Sequence, residues 1–345
     1  MRKLLRFAWL LPVLLSTHSR AATPARKVYP VVDLHVDLSY QYNFKRKSFP
    51  DNSGQFSIRA MRQGGVAGVV LPLFIPRDAS ATGPRAADLE SSYERVNLAL
   101  EHSSVFAPAG CANQKSGVRT FFAFEGAGPL AAEPERLATW QRRGLRIVGL
   151  VHTFQNQLAS SSGDPTPSTF GLTPLGRAFV KRAFELGLVV DVSHASDRAV
   201  DEILALAEGA HGVVVATHSN ARALADHRRN LKDDQLRAIA RTGGVVGVNF
   251  HGPFLTRARH AHLKDVVAQI QYLVKTAGIE HVAIGSDFEG DISPPPELAD
   301  ASRFPRLSAA LAEAGFADGE IQKIFADNAL RVLCPPSELK PASVP

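Results

Sequence analysis

The sequence predicts a (β/α)₈ barrel, and three observations carry that expectation. Eight short apolar runs punctuate the chain, most of them continuous rather than alternating, as strands buried on both faces require. Helical stretches separate most of them, each long enough for a crossover between parallel strands. Five of the runs end in residues that can bind or serve a metal, and parallel α/β barrels build active sites at the C-terminal ends of their strands. An open, doubly wound sheet is the rival architecture. It would leave the first and last strands far apart, whereas the candidate ligands sit on strands 1, 3, 5, 6 and 8 and need a common mouth.

The expected strands are Val31–Leu38, Val66–Phe74, Val118–Glu125, Leu145–His152, Leu188–His194, Gly212–His218, Val245–His251 and His281–Phe288. Helical patterns fall at Asp88–His102, Glu133–Arg143, Pro174–Leu186, Ser196–Glu208, Lys232–Thr242 and His262–Ala277, with two more near Pro305–Ala314 and Asp318–Leu333. Pro76–Ala87 and Gln155–Thr173 read as long loops. The second is rich in Ser, Gly, Pro and Thr and follows His152, so it is expected to overhang the site and shape access.

The first residues read as a secretory signal peptide spanning 1–21. Arg2, Lys3 and Arg6 form a positive start, Phe7 to Leu15 is almost wholly apolar, and Ser19 and Ala21 are small residues at the cleavage positions. The apolar run is too short to span a membrane, and no cysteine follows it to carry a lipid. A single domain over 22–334 and a flexible tail over 335–345 complete the division. The expected location is periplasmic or secreted. Loss of the leader removes Arg2, Lys3, Arg6 and Arg20 and no acid, taking the net charge from +6 to +2. The basic pI therefore gives little support for a nucleic-acid partner. Only Cys111 and Cys334 are present, so a cysteine zinc finger is excluded. Export permits a disulfide between them; two separate half-buried thiols are the alternative.

His35 and Asp37 lie two apart on the first strand and so project to one face. Glu125, His194 and His218 each end another strand, and His152 and Asp287 end two more. Singly, a histidine at a strand end is more often hydrogen-bonded scaffolding than a ligand. Jointly, the set would be costly as mere structure, because buried charges need partners. The types suit Zn²⁺. If Glu125 bridges two ions, His35 and Asp37 would complete one site and His194 and His218 the other. A hydroxide held between two ions is a strong nucleophile near neutral pH. Mn, Co or Fe would also accept such donors. Arg229 offers a planar fork for a carboxylate, or is a solvated charge in a basic stretch. Asp287 could accept a proton from metal-bound water, or support a ligand histidine. His251 reads as scaffold or pocket wall, and His102, His211, His227, His260, His262 and His281 lack the strand-end placement.

DLHVD (33–37), FEG (124–126), DVSHAS (191–196), THSNAR (217–222), RNLKD (229–233) and GSDFEG (285–290), in this order, resemble the membrane (renal) dipeptidase family, the M19 metallopeptidases of the amidohydrolase superfamily. The resemblance runs from about Val31 to Leu333. It implies a binuclear zinc barrel that hydrolyses dipeptides, many members accepting a D-residue at the C-terminal position. It implies His35 and Asp37 on one zinc, Glu125 bridging, and His194 and His218 on the other. His152 would polarise the scissile carbonyl or hold the oxyanion, Arg229 would pair with the substrate carboxylate, and Asp287 would move protons. A homodimer is the common assembly. Thr153 stands where the family usually has Asn, and Lys232 where it has Pro; neither change removes a proposed ligand. Two other functions compete: a deacylase, lactonase or phosphotriesterase activity, which would need no carboxylate anchor, and a non-catalytic exported barrel that binds metal or a small molecule.

Overall fold

The computed structural model describes residues 27–49, 53–79, 83–111, 117–166 and 168–334. The predicted leader and the C-terminal tail lie outside the described residues. Among the described residues nine strands form: β1 (Val31–Asp33), β2 (Val66–Leu73), β3 (Phe106–Ala109), β4 (Val118–Glu125), β5 (Leu145–Gly149), β6 (Val189–Asp191), β7 (Val214–Val215), β8 (Val246–Val248) and β9 (Val282–Ile284). All ladders are parallel, in the order β7-β6-β5-β4-β2-β1-β9-β8, with β3 paired to β4 outside this path. The ring is nearly closed, and a parallel bridge between Ala216 and Val246 joins its ends. At this seam Ala216 N–H donates to Val245 O (3.0 Å) and Gly247 N–H to Ala216 O (2.7 Å). Gly247 is required there, because a Cβ would drive into the Thr217 carbonyl oxygen.

The eight expected strands are therefore present, most of them shorter than expected, and β3 is an addition. The stretches beyond β1 and β9 still associate: Val36 bridges to Phe288, and Asp287 N–H donates to His35 O at 3.1 Å.

The helices are α1 (Leu38–Phe44), α2 (Ile58–Gly64), α3 (Ala86–Glu101), α4 (Leu137–Arg142), α5 (Pro174–Glu185), α6 (Asp197–Ala210), α7 (Asp233–Arg241), α8 (Gly252–Leu255), α9 (Leu263–Ala277), α10 (Phe304–Glu313), α11 (Asp318–Gln322) and α12 (Asn328–Leu333). Side-chain caps fix several starts. Thr173 Oγ1 accepts from Gly176 N–H, with Pro174 at the first helical position, and Ser196 Oγ accepts from Ala199 N–H. The helix expected over Glu133–Arg143 is divided into a 3₁₀ turn (Pro134–Arg136) and α4. A π-helical stretch (Lys323–Asp327) joins α11 to α12.

Alternate residues divide the core into two shells. Outward-facing positions such as Val31, Val69, Phe122, Val148 and Ile284 pack under the helices. Inward-facing Val32, Val70, Phe121, Ile147, Val189, Val215 and Ala283 fill the barrel together with Ala326, Ala329, Leu330 and Leu333. The last helix thus stops the N-terminal end of the barrel. Asn328 Nδ2 donates to Ile279 O and Val282 O (both 2.8 Å), and Arg331 to Gly243 O and Glu280 O, all at strand-entry loops. Cys334, which follows α12, forms a disulfide with Cys111, Cα to Cα 5.5 Å, so the paired alternative for the two cysteines holds. Among the described residues, no helix is long and apolar enough to cross a membrane.

Candidate functional site

All the ligand-type residues expected at strand ends meet at the C-terminal mouth. Glu125, the last residue of β4, is at the centre. Its Oε1 lies 3.1 Å from His194 Nε2, 3.4 Å from His35 Nε2, and 3.7 Å from both His152 Nε2 and His218 Nε2. Asp37 Oδ2 is 3.6 Å from His35 Nε2. Three overlapping groups have donor atoms within 4.8 Å of one another: His35, Glu125 and His218; Glu125, His152 and His194; His35, Asp37 and Asp287. His152 and Asp287 therefore stand close enough to share metal contacts, which the sequence-based division into two ligand sets did not include.

The electrostatics suit a cation. Burial opposes a charge on His35, but Glu125 and Asp37 outweigh it and lift the ring to about 10. Burial raises Glu125 to about 8 and Asp287 to about 7, with Asp37 adding to both and His35 opposing. Burial holds His152 down at about 3, and His194 and His218 well below the usual histidine range. Neutral imidazoles facing crowded carboxylates are the composition a bound dication relieves. His35 Nε2 is buried without a hydrogen-bond partner among the described residues, as a ligand nitrogen aimed at a cation would be. His194 and His218 face each other Nε2 to Nε2 at 2.9 Å. The residues fit the metals that the sequence implied.

A cavity of about 260 Å³ covers this cluster, lined also by Arg229, His251, Phe254, Gly290 and Asp291. Arg229 is only 8% exposed. Among the described residues it makes no ion pair; its guanidinium stacks on Phe254 and reaches Ser219 Oγ at 3.4 Å and His218 O at 3.3 Å. The solvated reading of Arg229 is thereby set aside.

Residues 20–340 match the model of the membrane dipeptidases, peptidase family M19. The chain belongs to this family. An uncharacterized dipeptidase of Schizosaccharomyces pombe is 28% identical over 90% of this chain and 83% of its own length. Dipeptidase aclJ of Aspergillus oryzae is 27% identical over 88% and 77%. A metallo peptidase from Rhodobacter sphaeroides, solved with a phosphinate mimic of the dipeptide L-Ala-D-Ala, superposes with a TM-score of 0.78 at 26% identity, covering 89% of this chain and 99% of that one.

Around this metallo-dipeptidase site lies a supporting layer that the sequence reading did not single out. Thr217 Oγ1 donates to Asp191 Oδ2 and can then accept from His218 Nδ1 (2.8 Å), leaving His218 Nε2 with its lone pair toward Glu125. Asp33 Oδ1 accepts from the backbone of both His35 (3.2 Å) and Ser286 (2.9 Å), joining the ends of β1 and β9. Asn249 Nδ2 donates to Asp287 Oδ2 at 2.9 Å. His194 and Asp287 have φ of 69° and 65°, a left-handed conformation that non-glycine residues seldom adopt. The carbonyl of His194 accepts from Ser162 N–H (2.8 Å) and Ser162 Oγ (3.1 Å), and Ser161 Oγ lies within reach of both this carbonyl (3.1 Å) and His152 O, its one hydrogen serving either. The Gln155–Thr173 loop therefore builds the site as well as flanking it. Asn249, at the end of an apolar run, was a readable signal; the serines were hidden in loop composition. His251 both lines the cavity and accepts from Ser293 N–H at 3.1 Å, combining the two roles open to it.

Proposed function

We propose that this dipeptidase is an exported, binuclear zinc enzyme that hydrolyses dipeptides bearing a free C-terminal carboxylate, including those with a C-terminal D-residue. The observation that carries the reading is Arg229, a buried guanidinium that makes no direct ion pair with a carboxylate among the described residues, in the wall of a cavity whose other side is the Glu125 cluster. A buried cation of this kind calls for an anion. A substrate carboxylate supplies it, and a neutral-ester hydrolase would have no use for it.

His35 and Asp37 would hold one ion and His194 and His218 the other, with Glu125 between them. Bound there, the metals would supply Lewis acidity to water and to the scissile carbonyl. With Thr153 Oγ1 donating to His152 Nδ1 (2.9 Å), the neutral His152 ring carries its hydrogen on Nε2, where it can donate to the developing oxyanion. Asn249 occupies Asp287 Oδ2, leaving Oδ1 to take the proton of the attacking water and return it to the leaving amine. The R. sphaeroides enzyme was solved with a mimic of L-Ala-D-Ala, which supports the acceptance of a C-terminal D-residue proposed here. The leader-like start and the Cys111–Cys334 disulfide support export.

The test pairs free dipeptides with their C-terminal amides, together with metal analysis of the same sample. Cleavage of the acids only, with two zinc-like ions per chain, is expected. Losing a buried charge-assisted pair costs about 2–5 kcal/mol. Equal rates on acids and amides would overturn the carboxylate clamp and favour a deacylase.

A further inference from the structure

A second cavity, of about 1410 Å³, opens from the first. The two share Tyr40, Phe74, Glu125 and His152, but Arg229, Asp287 and Phe254 line only the first. If Arg229 holds the substrate carboxylate and the cluster around Glu125 holds the scissile carbonyl, the carboxyl half is confined to the smaller space. The amino half then points past His152 and Phe74 into the larger one. Specific ligand pockets usually measure about 300–1,000 Å³, so the first cavity is small for a whole ligand and the second far exceeds what a glycyl or alanyl residue fills.

The lining has a chemistry of its own. Phe74, which lines both cavities, packs 4.2 Å from the His152 ring. Phe154 and Phe170 continue the lining, and Phe154 is 40% exposed, one of few large apolar side chains so open among the described residues. Arg77 stacks over one face of the Phe154 ring at 4.9 Å. Exposed aromatic surface rimmed by polar groups marks a binding site. The walls come mostly from the two long loops after β2 and β5, with Gly126, Gly128 and Pro129 after β4, so the barrel strands themselves do not dictate them.

We infer that the preferred substrates are dipeptides whose amino-terminal residue carries a large aromatic or apolar side chain, seated in the groove formed by Phe74, Phe154 and Phe170. The inference rests on the dipeptidase reading with Arg229 as carboxylate anchor.

The experiment measures kcat/KM for X-Ala with X as Gly, Ala, Leu and Trp, on the metal-loaded wild type and on Phe154→Ala. N-acetyl-Ala and N-phenylacetyl-Ala are run alongside. The expected wild-type preference for Trp-Ala over Gly-Ala is about tenfold or more, the scale on which apolar pockets discriminate. In Phe154→Ala that ratio should fall toward unity, while its melting temperature falls only slightly because the ring lies outside the buried core. Cleavage of Gly-Ala with no gain from bulk, or a ratio unchanged by the substitution, overturns the groove assignment and leaves the dipeptidase reading intact. Faster cleavage of the N-acyl compounds overturns it in favour of an acyl group as occupant. Failure to cleave any free dipeptide removes the dipeptidase reading, and the inference with it.

Discussion

The two ends of this barrel are built on opposite principles. The N-terminal end is closed by Ala326, Ala329, Leu330 and Leu333 and covalently tied through Cys111–Cys334. The C-terminal mouth concentrates buried carboxylates, imidazoles and a guanidinium that makes no direct ion pair among the described residues, with His194 and Asp287 in strained backbone conformations. One end accumulates stability and the other spends it on groups poised for a ligand. The comparison teaches that stability and chemistry can be perturbed separately here, because eight strands of apolar packing lie between them.

Breaking the stable end should have the largest effect on folding and the least on chemistry. Replacing Cys111 and Cys334 together by alanine should lower unfolding stability by about 2–5 kcal/mol, read by denaturant titration, with kcat unchanged on the folded fraction. A matching fall in kcat would show that the two ends are coupled.

At the mouth the expectation inverts. Asp287→Asn keeps the size and removes the basicity, so kcat should drop by at least ~10²-fold with metal content near normal. Loss of metal, with activity restored on reloading, would make Asp287 a ligand or a support rather than the proton carrier. Gly290→Ala is a subtler probe. Its Cβ would meet Asp37 Oδ2 at 2.6 Å and Asp287 Oδ1 at 2.7 Å, so metal affinity should weaken by about 10–100-fold with little change in melting temperature. Unchanged affinity in a metal competition assay would mean that the two carboxylates can part without consequence.

The smallest expected effect is a pH slope. In the metal-free protein Glu125 (about 8) and Asp287 (about 7) lie above their unfolded values, as does His35 (about 10). From pH ~6.5 to 8 the folded state therefore holds protons the unfolded chain has already lost, and stability should fall as pH rises. His152, His194 and His218 are neutral in the folded state but still partly protonated in the unfolded chain at about pH 6.5, so they oppose the slope at the acidic end of that window and drop out toward its alkaline end. Excess zinc should flatten the slope, since bound metal replaces the protons. Stability rising with pH would show that these carboxylates are already ionised without metal.

Much of this contrast was legible in the sequence. Strands buried on both faces read as unbroken apolar runs, and ligand types at their ends stand out because charge there is otherwise costly. Other features were silent for physical reasons. β3 (Phe106–Ala109) has only four residues and contains a proline. Neither α1 nor α2 exceeds seven residues, too short for periodicity to register. Ser161 and Ser162 act on backbone carbonyls, which no side-chain pattern reveals. The disulfide was open because Cys111 and Cys334 lie 223 residues apart and only the folded ring brings them together.

The stitch between β1 and β9 bears on timing. Asp33 joins the His35 and Ser286 amides, and Asp287 N–H bonds to His35 O, so the earliest strand to be synthesised meets its catalytic complement in the last. If Asp287 is the proton carrier, a chain that stops before β9 has His35 and Asp37 but lacks both that carrier and the Ser286 amide that helps Asp33 hold the end of β1. Hydrolytic competence is then expected only once the ninth strand docks, and an N-terminal fragment that stops short of it should be inactive in a dipeptide assay.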